Sequence, residues 1–275
     1  MRTETFGKMA VTPLFQIPGI IQGRLLGLVL IIVIAVMAVY YIRSKKQVYV
    51  RRVPGLDAIE EAVGRSAEMA KPVVCSYGIA SGGFDYWTLT GLTILGHVAR
   101  LAARTGTRLI VPTGGSDSSL IVRPAVEEIV RTAYILEGAL DNFKPDDIPF
   151  LSGQQYAYVG GYVGILQRTR PGSVIMTGSH ASDAMNIAET SNAVGAITIT
   201  SGSYLSNVAA LACASDYILI GEEAPAAGAY LSTDPSQRAS IRIQDLFKWF
   251  TIATLVIGLI LVAVNNDLVQ RLLVT

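Results

Sequence analysis

Two long apolar runs bracket this chain and limit how it can fold. Leu25–Ile42 carries no charge in 18 residues and Trp249–Val264 none in 16. As helices they would be roughly 27 and 24 Å long, close to the hydrocarbon thickness of a bilayer. A run of Arg43, Lys45 and Lys46 follows the first, where a signal peptide would need small residues for cleavage. Trp249 and Phe250 stand at the edge of the second, as interfacial anchors do. We expect both to cross a membrane.

The flanking charges give an orientation. Arg43, Lys45, Lys46, Arg51 and Arg52 follow the first run, against Arg2, Lys8 and Arg24 before it. Arg238, Arg242 and Lys248 precede the second, against Arg271 after it. Both asymmetries put the central domain on the cytoplasmic face and both termini outside, in a two-pass protein of the cell (inner) membrane. The expected organisation is an extracytoplasmic segment (1–24), a first transmembrane helix (25–42), a basic connector (43–54), a cytoplasmic α/β domain (55–245), a second transmembrane helix (246–265) and a short tail (266–275). The lipid bilayer is therefore an expected partner. The net charge of +1 gives no field that would gather nucleic acid. Cys75 and Cys213 form no CxxC pair and no zinc-spaced cluster, so they read as small buried residues. No metal or cofactor is expected.

Between the apolar runs, short strands rich in Val and Ile alternate with helices. The strands read as Val73–Tyr77, Arg108–Pro112, Ser173–Thr177, Ala196–Thr200 and Asp216–Ile220. They lack polar alternation, which suits a parallel sheet covered on both faces. Helices read as Leu56–Pro72, Thr88–Arg104, Pro124–Glu137, Gln154–Arg168, Ser182–Ala193 and Ser206–Ala214. The fold class is α/β, a mostly parallel open sheet with flanking helices, plus the two transmembrane helices.

The strands run into glycine- and serine-rich loops: GIASGGFD, TGGSDSS, TGSHASD and TSGSYLSN. In an open parallel sheet such loops line the ligand crevice. Gly82, Gly83, Gly114, Gly115, Ser116, Gly178, Ser179, Gly202 and Ser203 are thus candidates for holding a small anion or nucleotide. The same residues also serve as ordinary turn and cap residues, and none forms a Walker A or GxGxxG motif. His180 stands in one of these loops beside Ser179, Ser182 and Asp183; as a base it needs a nucleophile and an orienting acid, with Ser116, Ser179 and Ser203 available. His97 shares a helical stripe with Thr90, Thr93, Arg100 and Arg104 and reads as a surface histidine. Glu222 and Glu223 read as capping residues for the helix after the last strand, or as partners of Arg238 and Arg242. Gly160, Gly161 and Gly164 fall inside a helix, each costing about 1 kcal/mol relative to alanine. Close packing against another helix or subunit is the usual compensation, so they are the candidate oligomer contact.

The strings TGLTILGHVARLAARTGTRLIVP, AVEEIVRTAYILEG, DYILIGEEAPAAGAYLSTDP and IRIQDLFKWF resemble a family of uncharacterised prokaryotic membrane proteins, grouped as the domain of unknown function numbered 6754. The resemblance runs over most of residues 50–260. It implies an α/β domain joined to a C-terminal transmembrane helix and transfers no catalytic residue. Thr113–Ser119 departs from the Asn-Arg-Asp-like stretch it would lead one to expect. The expectation for function is a membrane-anchored, non-catalytic scaffold that forms a homo-oligomer or part of a larger membrane complex. The alternatives are a small-anion or nucleotide sensor at the Gly/Ser loops and, third, a hydrolase using His180.

Overall fold

The structure, a computed structural model, describes residues 31–37, 39–40, 43, 53–181, 183–202, 205–231 and 235–263. The chain divides into two compact units, Tyr49–Asp234, and Met1–Val48 with Pro235–Thr275.

In the first of these, strand β1 (Val73–Gly78) is buried at all six positions. Val73, Cys75 and Tyr77 point to one hydrophobic core, Val74 to another. This two-sided burial is what its lack of polar alternation suits. β1 is the second strand of a parallel sheet in the order β2-β1-β5-β6-β7, between β2 and β5. Its companions are β2 (Leu109–Ile110), β5 (Ser173–Ser179), β6 (Ile197–Gly202) and β7 (Tyr217–Ile220). The chain steps one way from β1 to β2, and the other way from β5 through β6 to β7. The arrangement is doubly wound, and its direction reverses between β1 and β5, the position at which such sheets open a crevice.

Helices α1 (Pro54–Glu68), α2 (Tyr86–Thr105), α3 (Ser119–Leu136) and α7 (Glu223–Leu231) supply the core on one face. Helices α4 (Gln155–Thr169), α5 (Asp183–Ala193) and α6 (Leu205–Ala214) supply the other. Local signals place them. Pro54 opens α1, which buries Leu56, Ile59 and Val63. The Asp85 carboxylate accepts the Thr88 N–H at 2.7 Å to start α2, and left-handed Gly106 ends it.

Several details correct the sequence reading. The strand expected over Arg108–Pro112 is only Leu109–Ile110, because Pro112 has no N–H for a ladder. The chain then turns into a separate two-stranded sheet, β3 (Thr113–Gly114) beside β4 (Phe150–Ser152), which local pattern did not signal. Helix α3 starts at Ser119, five residues before the expected Pro124. Pro124 is tolerated in its second turn, where it cannot donate to the carbonyl of exposed Leu120. Cys213 is exposed, whereas Cys75 is buried as expected. His97 is not a surface residue: its side chain is 17% exposed and its Nε2 stands 3.7 Å from Glu60 of α1.

In the second unit, α8 (Pro235–Ala263) is one continuous helix, so the expected boundary at 245/246 falls inside it. Its stretch Ser236–Ile260 is the one helix among the described residues long and apolar enough to cross a membrane. Trp249, Leu255 and Leu259 are 71%, 68% and 74% exposed. The hydroxyls of Thr251 and Thr254 donate to the carbonyls of Phe247 and Phe250, which satisfies them on an apolar surface. Of the first apolar run, residues 31–37 and 39–40 are described and helical; its other residues lie outside the described ones. The two membrane-spanning helices of the sequence reading thus reduce to one candidate span in the described residues.

Candidate functional site

The switch point between β1 and β5 holds a closed network of polar side chains. Its geometry begins with a break in register: Ser76 pairs with Met176, but Gly78 pairs with Ser179, so β5 bulges by one residue. Bulges re-aim side chains. At Gly178 the backbone has φ +86, and a Cβ would lie 1.9 Å from the Tyr77 carbonyl oxygen. Only glycine fits both demands. Beyond the bulge β5 ends at Ser179, His180 follows, and Asp183 opens α5.

Ser76, His180 and Asp183 are 0%, 2% and 1% exposed. The His180 Nδ1 lies 2.5 Å from the Asp183 Oδ2. The His180 Nε2 lies 3.3 Å from the Ser76 Oγ. Asp183 Oδ1 accepts the Ala181 N–H at 2.7 Å and the Gln155 Nε2–H at 2.9 Å. Ser76 Oγ accepts the Gly78 N–H at 3.2 Å and lies 3.3 Å from the Tyr158 hydroxyl. Burial alone would push the Asp183 carboxyl up. The His180 charge and hydrogen bond, with those from Ala181 and Gln155, outweigh it and hold Asp183 below the usual carboxylate value. Burial drives the Tyr158 phenol far upward, so it stays protonated and able to donate.

Eight of the nine candidate anion residues lie within the described residues. Ser179 is buried, and its carbonyl accepts the Ile79 N–H at 2.8 Å. A Cβ at Gly114 would meet the Ser152 carbonyl oxygen at 2.5 Å, and one at Gly115 would meet Ile79 at 2.5 Å. The Ser116 hydroxyl donates to the Ile79 carbonyl at 2.6 Å. Gly178 abuts Tyr77, and Gly202 abuts Val208. Gly82 packs on the Asp85 side chain, and Gly83 lies open beside it in the turn before α2. Ser203 lies outside the described residues. Most of these positions therefore bring neighbouring loops and strands into contact with one another. Among the described residues the serine at His180 Nε2 is Ser76, not Ser116 or Ser179.

A family model for the domain of unknown function DUF6754 matches residues 19–273. The chain belongs to this family. No curated protein and no solved structure matches it. The DUF6754 match takes in both apolar runs as well as the α/β unit.

Elsewhere in this DUF6754 chain, Glu223 accepts the Ile220 N–H at 3.1 Å, a capping role at the start of α7. Among the described residues no group of three or more His, Cys, Asp or Glu side chains could hold a metal ion. On α4, Tyr158 and Tyr162 are core residues, and a Cβ at Gly161 would meet Leu151 at 3.2 Å. A Cβ at Gly164 would meet the Arg168 side chain at 3.1 Å, while one at Gly160 would meet nothing within 4 Å. Sequence reasoning missed Ser76, Tyr158 and Gln155 as members of the His180 network. Ser76 sits inside a strand, where serine carries no signal, and the other two read as ordinary α4 residues.

Proposed function

We propose that this chain is a two-pass membrane protein whose α/β domain, on the cytoplasmic side, works as a scaffold. It would assemble as a homo-oligomer or within a larger membrane complex. The bare apolar surface of α8 and the basic flanks of both apolar runs support the anchoring. Gly160 is the observation that carries the assembly reading. Gly161 and Gly164 have neighbours within the domain; Gly160 has none, yet it weakens α4 by about 1 kcal/mol. Next to it Tyr156 is 81% exposed, and Ala157 is exposed as well. A flat helix face with an aromatic at its edge suits close approach by another surface. The test is the mass of the particle extracted from its native membrane in mild detergent. A discrete species several times the 29.3 kDa of the chain is expected. A monodisperse monomer would remove the reading.

A further inference from the structure

We propose that Ser76, His180 and Asp183 form a nucleophilic serine centre acting on neutral, apolar acyl esters. This is an activity separate from assembly and does not rest on it.

The hydrogen-bond directions carry the assignment. The Gly78 amide can only donate, so at that contact Ser76 Oγ is an acceptor. Tyr158, protonated, can donate to the same oxygen. Asp183 is ionised, so His180 Nδ1 carries the hydrogen between them, and in the neutral form of the imidazole Nε2 presents its lone pair. The one hydroxyl hydrogen of Ser76 is then directed to His180 Nε2 at 3.3 Å. That is the nucleophile, base and orienting acid of serine hydrolases, recognised by roles rather than by sequence position. Asp183 acts as a positioning residue, itself fixed by Ala181 and Gln155. The place fits as well, at the carboxyl ends of β1 and β5 where the sheet reverses direction. A purely structural spot in a core needs no such triad; apolar side chains of similar volume hold a core as well or better.

Substrate class follows from charge and surroundings. Asp183 is the anion of the network, and no Lys or Arg among the described residues bonds to it. An anionic ester would be repelled, a neutral one would not. Around the same edge of the sheet, the starts of α2, α3 and α5 leave Phe84, Leu89, Ile121 and Met185 exposed. Those side chains suit an acyl chain. In the reaction Ser76 Oγ bonds to the carbonyl carbon as its proton passes to His180 Nε2. The bond from that carbon to the leaving alkoxy oxygen breaks, and the oxygen takes the proton from Nε2. Water then repeats the two steps on the acyl-serine, releasing the acid and restoring the hydroxyl.

Ser76 has no exposed surface, so the first turn of α4 has to move for substrate to enter. Gln155, the first residue of α4 and half-buried, ties that turn to Asp183. The experiment treats full-length protein in mild detergent with a fluorophosphonate probe and maps the adduct by mass spectrometry. We expect the adduct on Ser76 in the wild type, formed faster in Gln155→Ala, and at least about 100-fold slower in His180→Ala. Asp183→Asn should change the pH profile of labelling, which a merely structural Asp183 would leave in place. If folded wild type and folded Gln155→Ala both lack a Ser76 adduct, or if His180→Ala labels Ser76 at the wild-type rate, the proposal fails.

Discussion

Replacing Gly160 with alanine separates a helix weakness from a contact surface. Gly64 in α1 is the internal control, because it too has nothing within 4 Å and no left-handed backbone. At either site a methyl group meets no neighbour, and the helix gains about 0.8–1 kcal/mol of propensity. For a domain of this size that is a rise of roughly 2–4 °C in Tm. Gly64→Ala should show that gain with particle mass unchanged. Gly160→Ala should show it only where the protein is dissociated. In the assembled particle the added methyl opens a gap between surfaces that otherwise touch, and Gly160→Trp should leave only the smallest species. The assay is thermal unfolding of full-length protein in mild detergent, with mass measured on the same samples. If Gly160→Ala and Gly64→Ala gain equally and Gly160→Trp keeps the wild-type mass, Gly160 is a solvent-facing glycine and the reasoning is wrong.

Other expectations follow from the buried charges and the apolar helix. Asp183 is held below its ordinary value, so its contribution is complete above the unfolded carboxylate pKa of about 3.9 and is lost as pH falls below that. Urea unfolding between pH 5 and pH 3 should therefore weaken more steeply in wild type than in Asp183→Asn. Burial lowers the His97 pKa despite Glu60, with Arg100 and Arg104 adding to the lowering. Its contribution should be complete above about pH 6.5 and fade below it, a loss in Tm that His97→Leu removes. Leu255→Arg, on the exposed apolar face of α8, should cost about 2.5–3.5 kcal/mol of membrane insertion and raise the fraction recovered in the soluble lysate. Equal recovery would argue against α8 as a membrane span.

The strands were legible where their chemistry is local. Val73–Gly78 and Ser173–Ser179 begin with short apolar runs and show no polar alternation, which suits buried parallel strands. The helix read as Thr88–Arg104 lies within α2, whose ends Asp85 and Gly106 set for local reasons that the sequence reading did not use. The β3–β4 pair was hidden because Phe150–Ser152 is three residues long and pairs with Thr113 and Gly114 across 37 and 38 positions. At the site, His180 and Asp183 could be read together, three residues apart at a helix start. Ser76 could not, because it reaches His180 across 104 positions and only strand pairing with a bulge brings the two together. The glycines carry no such distinction. A glycine that admits a ligand and one that admits a neighbouring carbonyl look the same in sequence, and at Gly178 the neighbour is Tyr77.

Helix α8 runs 29 residues without an internal proline, and its one glycine is Gly258. Nothing in it supplies a hinge of the usual kinds. At 1.5 Å per residue it is a rod of roughly 43 Å, and a tilt of about 10° at its apolar end would swing the polar end by some ~7 Å. Under the membrane placement proposed for α8, lipid thickness and tension acting on Trp249–Ile260 would be converted into displacement of Ser236–Lys248.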